Sequence, residues 1–215
     1  MARWTASAKW AAGPALDGQR DMPLALRLSE GLGLIVQCSE MGTLDRHLHH
    51  TRRPPMKPTN LYTLGYEGLD VEAFIGRLRD AGVQTVVDVR ELPLSRKKGF
   101  SKTALSEQLT AEGIAYFHVP SLGCPKDVRD VYRIDGDWAR YTRGFMKHLG
   151  EQDASVRELA KLARSTTACL VCFEADFSAC HRTYVGRAAH RVGGPPLKHL
   201  TARTVFVDQP LRVAA

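Results

Sequence analysis

The densest set of reactive groups in this chain lies between Cys172 and Arg182, where Cys172, Glu174, Cys180, His181 and Arg182 fall within one short run. Three chemistries fit these residue types. A thiolate at a helix start beside histidine and arginine has its pKa lowered and becomes a nucleophile with an acid/base partner. Cys172, Glu174, Cys180 and His181 are also each ligands for a divalent metal, but their spacing matches no standard zinc array, so no tightly bound metal is expected. In the third reading the cluster is structural: Cys172 is a small buried hydrophobe, while His181 and Arg182 cap and pair inside the fold. Of the two thiols, Cys180 is expected to be the reactive one, because two cations follow it at a helix start whereas Cys172 ends an apolar run.

A second group centres on Asp88-Val89-Arg90. An acidic residue at the end of an apolar strand needs a partner, and Arg90, two residues on, lies on the same strand face. An ion pair, an acid/base role and a ribose contact all remain open for it. Ser95, Arg96, Lys97, Lys98 and Lys102 follow, a basic cluster suited to phosphate. Gly65-Tyr66-Glu67-Gly68 is neither a G-x-G-x-x-G fingerprint nor a phosphate-binding loop, and its glycines indicate a turn and close backbone approach. The candidate catalytic residues are therefore Asp88, Glu174, Cys180 and His181. The candidate substrate contacts are Gly65, Tyr66, Arg90, Ser95, Arg96, Lys102, Cys172 and Arg182, and no cofactor motif is visible.

These groups meet only if the elements carrying them end at one edge of a sheet. Leu61–Leu64 reads as a strand, and Val71, Phe74, Ile75 and Leu78 as a helix capped by Asp70 and stopped at Gly82. Thr85–Val89 is the second strand, Leu105 and Leu109 mark a helix ended by Gly113, and Ile114–Val119 is the third strand, closed by Pro120. Ser121–Gly136 reads as a long charged loop that forms a lid over the site. Asp137 caps a helix with Trp138, Tyr141, Phe145 and Leu149 on one face, and that stripe is expected to pack into the core. A helix around Val156–Ala163, a buried strand Ala168–Phe173, a helix over Tyr184–His190 and a last strand Leu197–Leu200 complete the chain. The alternation predicts a single compact α/β domain, a mainly parallel sheet covered by helices in a Rossmann-like three-layer arrangement. Such sheets bind ligands at the carboxyl ends of their strands, where the polar residues above collect.

The composition is compatible with one such domain, with 44% hydrophobic and 25% charged residues in a chain of 215. Residues 1–59 lack sustained periodicity and end in a breaker-rich basic stretch containing His47, His49 and His50; they are read as a flexible extension, residues 60–205 as the domain and 206–215 as a tail. No run approaches the roughly 20 apolar residues of a membrane span, and Gly13 and Pro14 break the one early apolar segment resembling a secretory signal. Five cysteines form no disulfide framework, and a cytoplasmic setting is expected. Cys169 and Cys172 point to opposite faces of their strand, against a thioredoxin-type pair. A net charge of +7 favours anionic partners, a nucleotide or nucleic acid among them. The oligomeric state is not encoded in any of these features.

Four ordered segments, T-L-G-Y at Thr63–Tyr66, V-D-V-R-E-L-P-L-S-R at Val87–Arg96, G-F-S-K-T-A-L at Gly99–Leu105 and C-F-E-A-D-F-S-A-C-H-R at Cys172–Arg182, resemble the domain-of-unknown-function 488 family. The resemblance runs from about Leu61 to Thr201. It implies a compact single-domain α/β protein of bacteria and archaea and no particular reaction. The family's signature positions fall here on Gly65, Asp88, Arg90, Pro93, Ser95, Lys102, Cys172, Glu174, Cys180, His181 and Arg182. Members commonly carry a histidine after the first glycine, where this chain has Tyr66. Two functional expectations stand side by side: an enzyme acting on a phosphate-bearing nucleotide or nucleic-acid substrate, and a non-catalytic nucleic-acid- or partner-binding module that keeps its cysteines for folding.

Overall fold

The computed structural model describes residues 59–209, so the readings of residues 1–58 and 210–215 lie outside the described residues. In chain order the elements are β1 (Leu61–Gly65), α1 (Val71–Asp80), β2 (Thr85–Asp88), α2 (Lys102–Ala111), β3 (Ala115–His118), a 3-10 turn (Pro120–Leu122), α3 (Lys126–Asp135), α4 (Trp138–Gly150), α5 (Asp153–Ser165), β4 (Ala168–Cys172), α6 (His181–Arg191), β5 (Leu197–Leu200) and β6 (Val205–Val207). The strands form one sheet in the order β3-β2-β4-β1-β5-β6, parallel throughout except for β6, which runs antiparallel to β5. This is the α/β class expected from the sequence.

Strand periodicity divides the core in two. Leu61, Val87, Ala168 and Leu170 face a layer that includes Phe145 of α4, Leu159 of α5 and Val185 of α6. Tyr62, Leu64, Val86, Cys169 and Val171 face the opposite layer, Phe74 and Leu78 of α1 with Leu105 and Leu109 of α2. Each of the fully buried large apolar side chains contributes about 1.5–3 kcal/mol. The local signals match the elements: Asp70 and Asp137 accept hydrogen bonds from Ala73 N and Arg140 N at their helix starts, and Gly82 ends α1 with φ +66°.

Helix α1 leaves β1 toward one face and α6 leaves β4 toward the other, although β1 and β4 are hydrogen-bonded neighbours. A crevice opens between two carboxyl ends whose connections diverge in this way. That crevice is where the polar segments converge.

Two expectations are corrected. Ser121–Gly136 is not a loop, because the 3-10 turn and α3 occupy most of it. Only Val128 and Tyr132 of α3 pack on the core, and no α3 residue is buried. The sheet also does not end with Leu197–Leu200: β6 follows, and Asp208 beyond it accepts from Arg187 and pairs with His199. Among the described residues no helix is long and apolar enough to cross a membrane.

Candidate functional site

Cys172 is the last residue of β4, and Cys180 is the residue that caps the start of α6, so the loop between them turns back over the crevice. Two features hold that turn. The Arg182 guanidinium, fully buried, donates to the Glu174 and Ala175 carbonyls at 2.6 and 3.2 Å. Opposite it, the β1 end pairs with the loop through Tyr66 N to Cys172 O (3.2 Å) and Glu67 N to Phe173 O (2.8 Å). The fit demands glycine at 65, since a β-carbon there would lie 1.7 Å from the Glu174 carbonyl oxygen. The Glu67 carboxylate completes the clamp by accepting from Ala175 N.

The result is a compact cluster. Glu174 Oε2 lies 2.7 Å from Cys172 Sγ and 3.1 Å from Cys180 Sγ, and His181 Nδ1 is 3.8 Å from both sulfurs. These four side chains bring ligand-type atoms within 4.8 Å of one another. The other imidazole nitrogen, Nε2, is 2.9 Å from the Val89 carbonyl and donates to it, while Phe145 meets the ring edge-on.

Burial pushes the Cys172 thiol well up and the Glu174 carboxyl up. Cys180 moves the other way: burial alone would raise it, but the hydrogen bond with Cys172 and the charges of His181 and Arg182 hold it well below the usual thiol range. Burial likewise opposes a charge on His181, yet the neighbouring Cys180 keeps that imidazole above its ordinary value.

The second group forms a separate network. Asp88, fully buried, takes Arg90 Nε at 2.8 Å and Nη2 at 2.5 Å, and Tyr116 donates its hydroxyl to the same carboxylate at 2.6 Å. Arg90 Nη1 donates to the Tyr66 hydroxyl and the Phe100 carbonyl. The carboxylate holds Arg90 above its usual value even though burial works against the charge, and burial with the Asp88 charge raises Tyr116.

A cavity of about 830 Å³ opens over both groups. Its lining includes Cys172, Glu174 and His181 from the cluster, with Tyr66, Arg90, Ser95 and Arg96 from the other predicted residues. Asp88, Lys102, Cys180 and Arg182 do not line it. Both cysteines are buried, Cys172 at 4% and Cys180 at 1% exposure, and of the two Cys172 contributes to the cavity lining. The arginines differ too. Arg182 gives both terminal nitrogens to loop carbonyls, its Nε having no partner, and Arg90 donates to Asp88, Tyr66 and Phe100, so both build the site's frame; exposed Arg96 is unpaired among the described residues.

The sequence reading set Ser121–Gly136 over the site as a loop but named no lining residue of the far wall. That wall comes from α3 and the start of α4: Arg129, which pairs with Glu91 at 2.5 Å, Tyr132, Arg133, and Trp138 stacked on Tyr141 at 4.8 Å. The aromatic stripe therefore packs the core with Tyr141 and Phe145 and also presents Trp138 and Tyr141 to the cavity. Cys124 lines it as well, its thiol pushed up to about 11 chiefly by burial. The signals that could have found this wall are Val128 and Tyr132 at helical spacing, ended by Gly136 with φ +64°.

Compared with known proteins, residues 70–189, more than half of the chain, match the family model described as domain of unknown function DUF488. No curated protein and no solved structure matches the chain.

Proposed function

Because this chain belongs to the domain of unknown function DUF488 family, whose description names no reaction, we propose a function from the site alone: an enzyme acting on a phosphate-bearing substrate of the nucleotide class. The observation that carries this reading is the coincidence of three things in one crevice: a cluster of reactive side chains, flat aromatic faces and cationic groups. A nucleotide offers a π-face and a polyanion. Trp138 and Tyr132 supply stacking surface, and Arg96, Lys97 and Arg133, the last also paired with Asp130 at 3.0 Å, supply donors for phosphate oxygens in the same cavity. The Cys172–Glu174–Cys180–His181 cluster at the carboxyl ends of β1 and β4 provides the reacting groups, reached through Cys172, Glu174 and His181. Asp88 with Arg90, and Arg182 with its loop, are positioning residues. The four cysteines among the described residues are free thiols, in keeping with a cytoplasmic setting.

Titrating ADP and ATP into the full chain tests the binding half, and product analysis tests turnover. Trp138→Ala and Arg133→Ala are each expected to weaken binding roughly tenfold, since base stacking and charge-assisted hydrogen bonds are each worth about 1–3 kcal/mol. Affinities unchanged in both variants would defeat the reading. Nucleotide bound tightly but left unconverted, with Cys172→Ala and His181→Ala binding as well as wild type, would favour the binding module instead.

A further inference from the structure

The geometry points to a divalent metal centre of the zinc class held by Cys172, Glu174, Cys180 and His181. This reverses the expectation drawn from spacing and does not rest on the nucleotide reading. Spacing along the chain was uninformative because the loop from Phe173 to Ala179 doubles back, bringing residues two, six and nine positions apart onto one point.

Three features support the assignment. The donor set of two sulfurs, one imidazole and one carboxylate suits zinc or ferrous iron and is too soft for magnesium or calcium. The four ligand atoms lie within 4.8 Å of one another, and all but half-buried Glu174 belong to buried residues. His181 is oriented as ligating histidines are, with Nε2 committed to the Val89 carbonyl at 2.9 Å and Nδ1 turned toward both sulfurs at 3.8 Å. Metal binding then releases the thiol protons to solvent, and the N-terminus of α6 at Cys180 offsets the remaining negative charge. The ion would lie at the floor of the cavity, reachable along the side that Cys172, Glu174 and His181 line.

The test uses the full chain, treated with chelator and titrated with Co²⁺ as a spectroscopic substitute for zinc. Expected are one Co²⁺ per chain, near-ultraviolet sulfur-to-cobalt charge-transfer bands, and displacement by Zn²⁺. Cys172→Ser and Cys180→Ser should each weaken binding by about a hundredfold or more and reduce the charge-transfer intensity, whereas Cys169→Ser, on the opposite face of the sheet, should leave both unchanged. Glu174→Gln is the variant to use if a serine change impairs folding; it should lower Co²⁺ affinity about tenfold or more while the sulfur bands persist. Absence of sulfur bands in the wild-type protein overturns the inference. So does Co²⁺ binding that survives both serine changes, as binding through His47, His49 and His50 would. Nucleotide affinity of the chelator-treated chain is measured separately, so failure of one reading leaves the other standing.

Discussion

Replacing Gly65 by alanine tests whether the close approach of β1 to the Glu174 loop holds the site together. A β-carbon at this position would lie 1.7 Å from the Glu174 carbonyl oxygen and 2.5 Å from its carbon, so strand and loop must part by roughly 1.5 Å or more to reach ordinary contact. The atoms in the way are backbone and cannot rotate aside. Parting them loosens Tyr66 N to Cys172 O and Glu67 N to Phe173 O, and pulls the Glu174 and Ala175 carbonyls from the buried Arg182 guanidinium. Overpacking of a tight interior costs about 1–3 kcal/mol, and hydrogen bonds to a charged group contribute about 1.5–3 kcal/mol. A total loss of about 3–5 kcal/mol is expected, which in a domain of this size lowers the melting temperature by about 10 °C. The assay is thermal unfolding followed by circular dichroism. Gly76→Ala in α1, where a β-carbon meets nothing within 4 Å, serves as the control and should be neutral or gain about 0.5–1 kcal/mol from helix propensity. If G65A melts within a degree or two of wild type, the packing argument is refuted.

Three further outcomes are expected. Asp88→Asn leaves Arg90, 6% exposed, without its counter-charge, and should cost about 3–5 kcal/mol in urea unfolding; a loss below about 1 kcal/mol would show that the pair is dispensable. Arg182→Met removes the clamp on the Glu174–Ala175 turn and should cost about 2–4 kcal/mol while speeding amide exchange selectively between residues 173 and 180; protection unchanged there would contradict the clamp. His199 accepts from Thr63, donates to Asp208 and faces Arg182 and Arg187; burial first, with those arginines, holds it below its ordinary 6.5, although Asp208 works the other way. Its folded-state pKa is lowered, so its stabilising contribution is complete above 6.5 and is lost as pH falls toward the folded value. The stability difference between wild type and His199→Gln should therefore shrink as pH falls below about 6.5, and a difference constant from about pH 8 to 5 would count against it.

Much of this molecule is written in local pattern. The strand runs, the Asp70 and Asp137 caps and the glycine stops at Gly82 and Gly113 depend on neighbouring residues alone, and each appears where the chain order predicts. The parallel sheet follows from alternation of strand and helix, and the collection of polar groups at strand ends follows from the sheet. Helix α3 was missed although Val128 and Tyr132 at helical spacing and Gly136 at its end mark it locally, because its many charges read as a loop and none of its residues is buried. β6 was hidden because a three-residue strand exposed along its length is defined by its pairing with β5.

At the site the division follows the same line. Residue types and order identified the Cys172–Arg182 segment and the Asp88–Arg90 pair, because reactive groups beside apolar strand ends are visible in one dimension. Which partner each group takes was decided in three dimensions. Arg90 closes on Asp88 and Arg182 on the Glu174 turn, so two expected anion holders became the frame of the cavity, while Arg133 and Trp138, far along the chain, became part of its wall. Cys172 is buried at its strand end and Cys180 stands at its helix start, as their local positions imply, but which of the two reaches the cavity depends on which neighbouring loop leaves space above it, and only the packed fold determines that.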